Sequence, residues 1–227
     1  MHGLHSRIIF FIVAIAFCPL VTAETAGVKV LILGDSLSSA YNIPMERGWV
    51  TLLQQRVAEK YPGTRIVNAS VSGETAANAV HRLPALLEQH EPDVLVIELG
   101  GNDGLRGIKL AQVRQSLQSL IETGKTSGAE VVLAGIHLHP NYGAKFNQLF
   151  LDMYRELAAQ YKVRLVPLIL EGVGDDPAKM QEDMTHPKAD AEPAVLDNMW
   201  PAIEQAIKEA KKKTPLAESA EAQKQQE

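Results

Sequence analysis

A doubly wound α/β domain built on a parallel β-sheet is the fold class that the sequence predicts. Apolar runs suited to buried strands alternate with helical patterns along the 227 residues, an order typical of a parallel sheet with helices on both faces. The composition agrees, since 46% of the residues are hydrophobic and 22% are charged, which excludes collagen-like, low-complexity and disordered chains. No internal repeat or second core is evident, so we expect one domain from about residue 27 to 210.

Strands and helices are predicted to alternate along the chain. Strands are expected at five apolar runs, 28–33, 65–68, 94–99, 131–136 and 163–166. Helices are expected at 49–60, 75–89, 110–126 and 144–161, each followed by glycine, proline or polar residues that can stop it. A final helix should begin near Pro187. From residue 211 to 227, a mixture of Lys, Ala, Glu and Gln without apolar periodicity predicts a disordered polar tail.

Residues 1–23 have the three parts of a secretory signal peptide. A short basic region ends at Arg7, apolar residues follow from 8 to 17, and Val21-Thr22-Ala23 places small side chains at the cleavage positions. A ten-residue helix is about 15 Å long, half of the roughly 30 Å hydrocarbon core, so a permanent membrane span is the weaker interpretation. We expect cleavage after Ala23 and a periplasmic or secreted protein with no stable span.

Charge and cysteine content exclude several classes of function. The chain has 22 basic and 27 acidic residues and a formal net charge of −5, so it lacks the basic surface expected of a nucleic-acid-binding protein. Its only cysteine, Cys18, lies within the predicted signal peptide. The mature protein is therefore expected to be thiol-free and to have no nucleic-acid partner. We also expect it to be a monomer.

Three predicted strands end in clusters of glycine and polar residues. The first leads into Gly34-Asp35-Ser36-Leu37-Ser38, the second into segment 68–75 and the third into Gly100-Gly101-Asn102-Asp103-Gly104. In a sheet of order 2-1-3-4-5 these strands are neighbours, so their loops converge at the edge where open parallel sheets bind ligands. The sequence therefore predicts a site at the carboxyl ends of these strands.

Ser36 is the candidate nucleophile of this site, because it directly follows a buried strand, where nearby amides can stabilise an anion. A helix cap formed by Asp35, Ser36 and Ser38 is the alternative interpretation. The surrounding residues also differ from the G-x-S-x-G elbow, which disfavours an ordinary α/β-hydrolase.

A serine nucleophile needs a base, and His186 is the best candidate among seven histidines. It lies beyond the last predicted strand, and a spacing of three residues can aim the Asp183 carboxylate at its imidazole. A helix start, with Asp183 near the cap and Pro187 in the first turn, is the alternative. His137 and His139 follow the fourth strand and are candidates for the rim of the site.

Four blocks of the chain, taken in order, resemble the SGNH, or GDSL, hydrolase family. They are Gly34-Asp35-Ser36-Leu37-Ser38, Gly73, Gly101-Asn102-Asp103 and Asp183-x-x-His186. Longer stretches at 68–70, 73–75, 99–107 and 141–143 look like the branch of bacterial periplasmic thioesterase I, lysophospholipase L1 and arylesterase. The resemblance covers nearly the whole mature chain. It implies a three-layer αβα flavodoxin-like fold with a five-stranded parallel sheet of order 2-1-3-4-5, no cofactor and no metal.

The resemblance also implies a role for each site residue. Ser36 would be the nucleophile, His186 the general base and Asp183 the residue that orients the base. The backbone amides of Ser36 and Gly73 and the side-chain amide of Asn102 would form the oxyanion hole. For Gly73 and Asn102 alone, a turn glycine and an Asx turn are the alternatives.

Leu105, Ile108 and Leu138 are the candidate substrate-binding residues. Gly104 and Gly107 bracket a short segment that can fold Leu105 or Ile108 over an acyl tail, because glycine absorbs dihedral changes. A rigid turn at a helix entry is the alternative for this segment.

These features predict a serine hydrolase that cleaves small-molecule acyl esters and thioesters through an acyl-enzyme. A carbohydrate O-deacetylase of the same family is the enzyme alternative, against which an aromatic content of only 5% argues weakly. A non-catalytic binding domain is the alternative of another class, since a fold does not fix a function.

Overall fold

A five-stranded parallel β-sheet forms the centre of the computed structural model, which describes residues 27–224. Its strands are β1 (Lys29–Gly34), β2 (Arg65–Asn68), β3 (Val94–Glu98), β4 (Glu130–Ala134) and β5 (Arg164–Val166). They are hydrogen-bonded in the order β2-β1-β3-β4-β5. The sheet and the strand order predicted from the sequence are confirmed. The predicted signal peptide, 1–23, lies outside the described residues.

Between residues 27 and 224, six α-helices surround the sheet in two layers. They are α1 (Trp49–Lys60), α2 (Ala76–His90), α3 (Gly101–Leu105), α4 (Leu110–Thr126), α5 (Ala144–Tyr161) and α6 (Glu192–Lys224). Helix α1 packs against α6, whereas α4 packs against both α2 and α5. The arrangement gives the expected three-layer αβα architecture. None of the helices between residues 27 and 224 combines the length and apolarity needed to cross a membrane.

The two central strands are the most deeply buried part of the fold. Every residue of β3 is buried, and so are five of the six residues of β1. Their Val, Leu and Ile side chains pair in register, for example Leu31 beside Leu95 and Ile32 beside Val96. Helices cover both faces of these strands, so the strands are apolar throughout instead of alternating. This rigid centre supports the loops that leave its carboxyl edge.

Helix α3 was not expected from the sequence. It follows β3 directly, and Gly100 between them has a φ of +117°, which favours glycine. A Cβ atom on Gly100 would also lie 2.2 Å from Oη of Tyr154. This glycine allows the chain to turn from the strand into a helix that begins beside the predicted site.

The C-terminal segment also differs from the sequence analysis. Helix α6 starts at Glu192, after a 3-10 turn at Ala189–Ala191, and continues to Lys224. Residues 211–224 are therefore helical, where a disordered tail was expected. Ala, Glu, Gln and Lys all have high helix propensity, so they can extend a helix without an apolar face. Several side chains of α6, among them Met199, Ile203 and Ala210, are part of the core.

Candidate active site

Hydrogen bonds join the three loops that the sequence placed at one edge of the sheet. Asn102 Nδ2 donates to Asp35 Oδ2 over 2.9 Å, which links the loops after β3 and β1. Asn68 Nδ2 donates to the Ser38 carbonyl over 2.8 Å, which adds the end of β2. The expected convergence of these loops is thus present in the structure.

Ser36, His186 and Asp183 form a continuous hydrogen-bonded chain. His186 Nε2 lies 2.8 Å from Ser36 Oγ, and His186 Nδ1 lies 2.7 Å from Asp183 Oδ2. With the imidazole hydrogen on Nδ1, Nε2 is the acceptor for the serine hydroxyl. Two residues 150 positions apart along the chain are thereby brought into contact, in the order that a serine nucleophile, a base and an orienting acid would require.

The 183–186 turn is built by Asp183 itself. Its Oδ1 accepts from the backbone N–H of Thr185 and of His186, over 2.9 and 3.0 Å, while Met184 takes a left-handed φ of 53°. Burial raises the pKa of Asp183, but the hydrogen bonds from the His186 ring and from these two amides outweigh it and lower the pKa below its ordinary value. Asp183 therefore caps a turn and stays ionised beside the imidazole.

Arg106 links Gly73 and Asn102, the two other residues that were predicted for the oxyanion hole. Gly73 has a left-handed φ of +78°, and its carbonyl accepts from Arg106 Nη2 over 2.7 Å. Arg106 follows α3, the helix that contains Asn102. This contact joins the Gly73 turn to the end of that helix.

A pair of buried carboxyl groups lies beneath the loop that follows β1. Glu98, at the end of β3, is fully buried, and its Oε2 accepts from Ser38 Oγ over 2.7 Å and from the Asp35 amide over 3.3 Å. Burial, and then the charge of Asp35, raise the pKa of Glu98 well above its ordinary value. Burial also raises the pKa of Asp35 to about 6, although the Leu37 amide and Asn102 lower it in part. Sequence reasoning missed Glu98, whose only signal is an acid inside an apolar run.

A cavity of about 300 Å³ opens beside Ser36 and Asn102. Most of its side chains are apolar: Leu37, Leu105, Ile136, Leu138, Leu168, Leu170, Met180 and Met184. Leu105 and Leu138 lie on it as expected for substrate contacts, and so do His137 and His139. Ile108 does not line this cavity and packs against the core after the left-handed turn at Gly107, so its substrate contact stays a prediction.

The described residues contain no cluster of histidine, cysteine and acidic side chains suited to a metal ion. An ionised acid, an imidazole and a serine hydroxyl in series suit proton transfer to and from a serine nucleophile. The apolar cavity beside them suits an acyl group.

A family model described as the GDSL-like lipase/acylhydrolase family matches residues 32–192 of the chain. The matched region is more than half of the 227 residues and includes Ser36, Asn102 and His186. This chain belongs to that family. The resemblance seen in the sequence motifs is thereby confirmed.

Relatives in the GDSL family match most of the chain. Esterase TesA of Pseudomonas aeruginosa is 47% identical over 184 residues, which are 81% of this chain and 92% of that protein. Thioesterase 1/protease 1/lysophospholipase L1 of Escherichia coli strain K12 is 42% identical over 184 residues, which are 81% of this chain and 87% of that protein. The crystal structure of TesA has a TM-score of 0.77, with 47% identity over 78% of this chain and 99% of its own.

Proposed function

We propose that this protein hydrolyses carboxylic esters and thioesters of small-molecule substrates through an acyl-enzyme on Ser36. The observation that carries the proposal is the 2.8 Å contact between Ser36 Oγ and His186 Nε2 beside an apolar cavity. The names of the GDSL relatives, an esterase and a thioesterase/lysophospholipase, support the same class of reaction.

In the first half of the reaction, Ser36 Oγ attacks the acyl carbon while its proton moves to His186 Nε2. The carbonyl oxygen becomes an oxyanion, for which the amides of Ser36, Gly73 and Asn102 are the proposed donors. The Asp183 carboxylate stabilises the imidazolium that has formed. The imidazolium then gives its proton to the alcohol or thiol, which leaves, and Ser36 carries the acyl group.

In the second half, water replaces the leaving group. His186 takes a proton from this water as its oxygen attacks the acyl carbon, and a second oxyanion forms in the same hole. Collapse of this intermediate breaks the bond to Ser36 Oγ, and His186 returns the proton to that oxygen. The products are a carboxylic acid and the free enzyme, so no cofactor is consumed.

The apolar cavity is the proposed site for the acyl tail. Leu105 and Leu138 lie on it together with Leu168 and Leu170, while Ser36 lies at its polar side. Each methylene group that enters contributes roughly 0.8 kcal/mol of transfer free energy. We therefore expect esters and thioesters with longer acyl chains to be better substrates than acetylated sugars.

The test is turnover by the purified mature chain on a series of substrates. The series contains acetyl to palmitoyl esters, the matching CoA thioesters, a lysophospholipid and acetylated xylan. Labelling by an active-site phosphonate with a mass increase at Ser36 is expected in the wild type and absent in Ser36→Ala. Lack of both labelling and turnover would favour a binding domain, and preference for acetylated xylan would favour a carbohydrate deacetylase.

A further inference from the structure

An aromatic ring packs against the imidazole of His186. The ring of Tyr41 lies with its centroid 4.5 Å from that of His186, at an interplanar angle of 36°. Both nitrogens of the imidazole are already engaged, by Ser36 and by Asp183. The contact with Tyr41 therefore involves the ring system itself. Tyr41 remains 47% exposed, so burial in the core does not explain its position.

The backbone around Tyr41 is held in an unusual conformation. Ala40 and Asn42, on either side of it, have left-handed φ values of 57° and 56°, which residues with a Cβ atom rarely adopt. The Tyr41 amide donates to the carbonyl of Ser36 over 3.3 Å. The segment that presents this ring is thus attached to the candidate nucleophile.

The side chain of Gln181 joins this segment to the loop of His186. Its Oε1 accepts from Asn42 Nδ2 over 3.1 Å, and its Nε2 donates to the carbonyls of Tyr41 and Pro187 over 3.1 and 2.8 Å. The Gln181 backbone amide donates to the His186 carbonyl over 2.8 Å. One glutamine therefore fixes the backbones on both sides of the ring contact.

We propose that Tyr41 is a positioning residue, which holds the His186 imidazole from one side and stabilises its protonated form during the reaction. The inference rests on the proposed function, in which His186 becomes positively charged when it accepts the Ser36 proton. The π-face of an aromatic ring attracts a cation that lies against it. The contact thus favours the imidazolium over the neutral base.

Two carboxyl groups also interact with His186. Asp183 contacts the ring from the same loop, and Asp35 interacts with it electrostatically from the loop after β1. Neither carboxyl group is removed when Tyr41 is substituted. A change in the pKa of His186 in such a variant is therefore due to the loss of the aromatic ring.

The experiment compares Tyr41→Leu with Tyr41→Phe and measures the pKa of His186 by NMR titration of labelled histidine. Tyr41→Leu should lower this pKa by roughly 0.5 to 1 pH unit, because a cation–π contact is lost. The same loss should lower kcat by roughly 3- to 10-fold with little change in KM. Tyr41→Phe keeps the ring and should restore both quantities. Tyr161→Leu, at the end of α5, is the matched control and should leave them unchanged.

The outcomes separate this proposal from the proposed function. An unchanged His186 pKa in Tyr41→Leu overturns the role of Tyr41 whatever the activity, and equal effects of Leu and Phe overturn it as well. Tyr41→Met supplies a second side chain without a ring if the leucine variant does not fold. In the Ser36→Ala background, which is expected to be inactive, Tyr41→Leu must still lower the pKa of His186. If that shift occurs but the wild type hydrolyses no ester, the proposed function fails and the ring contact stands.

Discussion

The side-chain amide of Asn102 donates a 2.9 Å hydrogen bond to the buried carboxyl of Asp35. An amide nitrogen carries two hydrogens, so this bond uses one and leaves the second for a substrate oxyanion. The Leu37 amide, 3.0 Å from the other Asp35 oxygen, fixes the orientation of that carboxyl. Asp35 therefore determines which way the Asn102 amide is turned.

Asn102→Ala should lower kcat by roughly 10²- to 10³-fold with a smaller change in KM, because the lost donor binds charge that develops in the transition state. Steady-state kinetics on a short-chain ester measures both constants. Asn78→Ala, on the exposed side of α2, is the matched control. A defect confined to KM would make Asn102 a substrate-binding residue instead.

Asp35→Asn should reduce activity, since it replaces an acceptor by an N–H group opposite Asn102 Nδ2. One of the two amides must then rotate, and the oxyanion donor is misaligned. We expect kcat to fall by roughly tenfold or more. Activity equal to the wild type would show that Asp35 does not orient Asn102.

The same substitution should change how stability depends on pH. The pKa of Asp35 is raised by burial from 3.8 to about 6, so the folded state holds this proton more tightly than the unfolded state. Its contribution to stability is full below pH 3.8 and is lost as the pH rises through about 6. The loss is on the order of 3 kcal/mol. Denaturant unfolding at pH 4 and pH 7 should show this decrease in the wild type and a smaller one in Asp35→Asn.

Substitutions of Ser36, His186 and Asp183 should differ in their effect on turnover, because the first two are the proposed nucleophile and base and the third only orients the base. Ser36→Ala and His186→Ala should each remove nearly all turnover, by roughly 10⁶-fold in kcat. Asp183→Asn should leave more, with a loss of roughly 10⁴-fold, because the imidazole is still present but favours the wrong tautomer. Burst kinetics and the mass of an acyl adduct on Ser36 provide the measurements. A folded Ser36→Ala protein with normal turnover would contradict the mechanism.

The sequence was sufficient for elements whose side chains carry a clear period. The predicted bounds of α1, α4 and α5 match the structure, because apolar residues recur on one face of each helix. Helix α3 has only five residues, of which two are glycines, so it has no apolar period from which a helix could be predicted. Its formation depends on the turn at Gly100 and on packing against other elements, which local patterns do not record.

The candidate site likewise contains residues with a local sequence signal and residues without one. The clusters of glycine and polar residues that end neighbouring strands pointed to Ser36, Asn102 and Gly73. The spacing from Asp183 pointed to His186, and the resemblance to a family joined these residues into one candidate site. Residues such as Tyr41 and Leu170 carry no local signal. They reach the site only through loops that tertiary hydrogen bonds arrange.

Export remains a prediction, which the apolar segment before Val21-Thr22-Ala23 motivates. We propose that the mature chain begins at Glu24 and is periplasmic or secreted, because small residues precede that position at the cleavage site. N-terminal sequencing of protein recovered from the periplasm or the medium tests this. An exported chain that keeps Met1 would contradict it.

Gly104→Ala should impair long acyl substrates more than short ones. A Cβ atom on Gly104 would lie 2.4 and 2.6 Å from the two methyl carbons of Leu138, a side chain that lines the cavity. Leu138 is nearly fully buried, so we expect it to move into the cavity and occupy space that an acyl tail needs. Turnover of palmitoyl esters should therefore fall further than turnover of acetyl esters.

Two further variants make this test specific. In Gly104→Ala/Leu138→Ala the clash is removed, so the relative turnover of long esters should recover. Gly107→Ala is the control for backbone effects, because its added Cβ atom meets nothing within 4 Å although its φ is +67°. That variant should lose roughly 1 kcal/mol of stability to strain and keep the wild-type chain-length preference. An equal loss for every chain length in Gly104→Ala, without recovery in the double variant, would mean that Leu138 does not limit the space for the acyl tail.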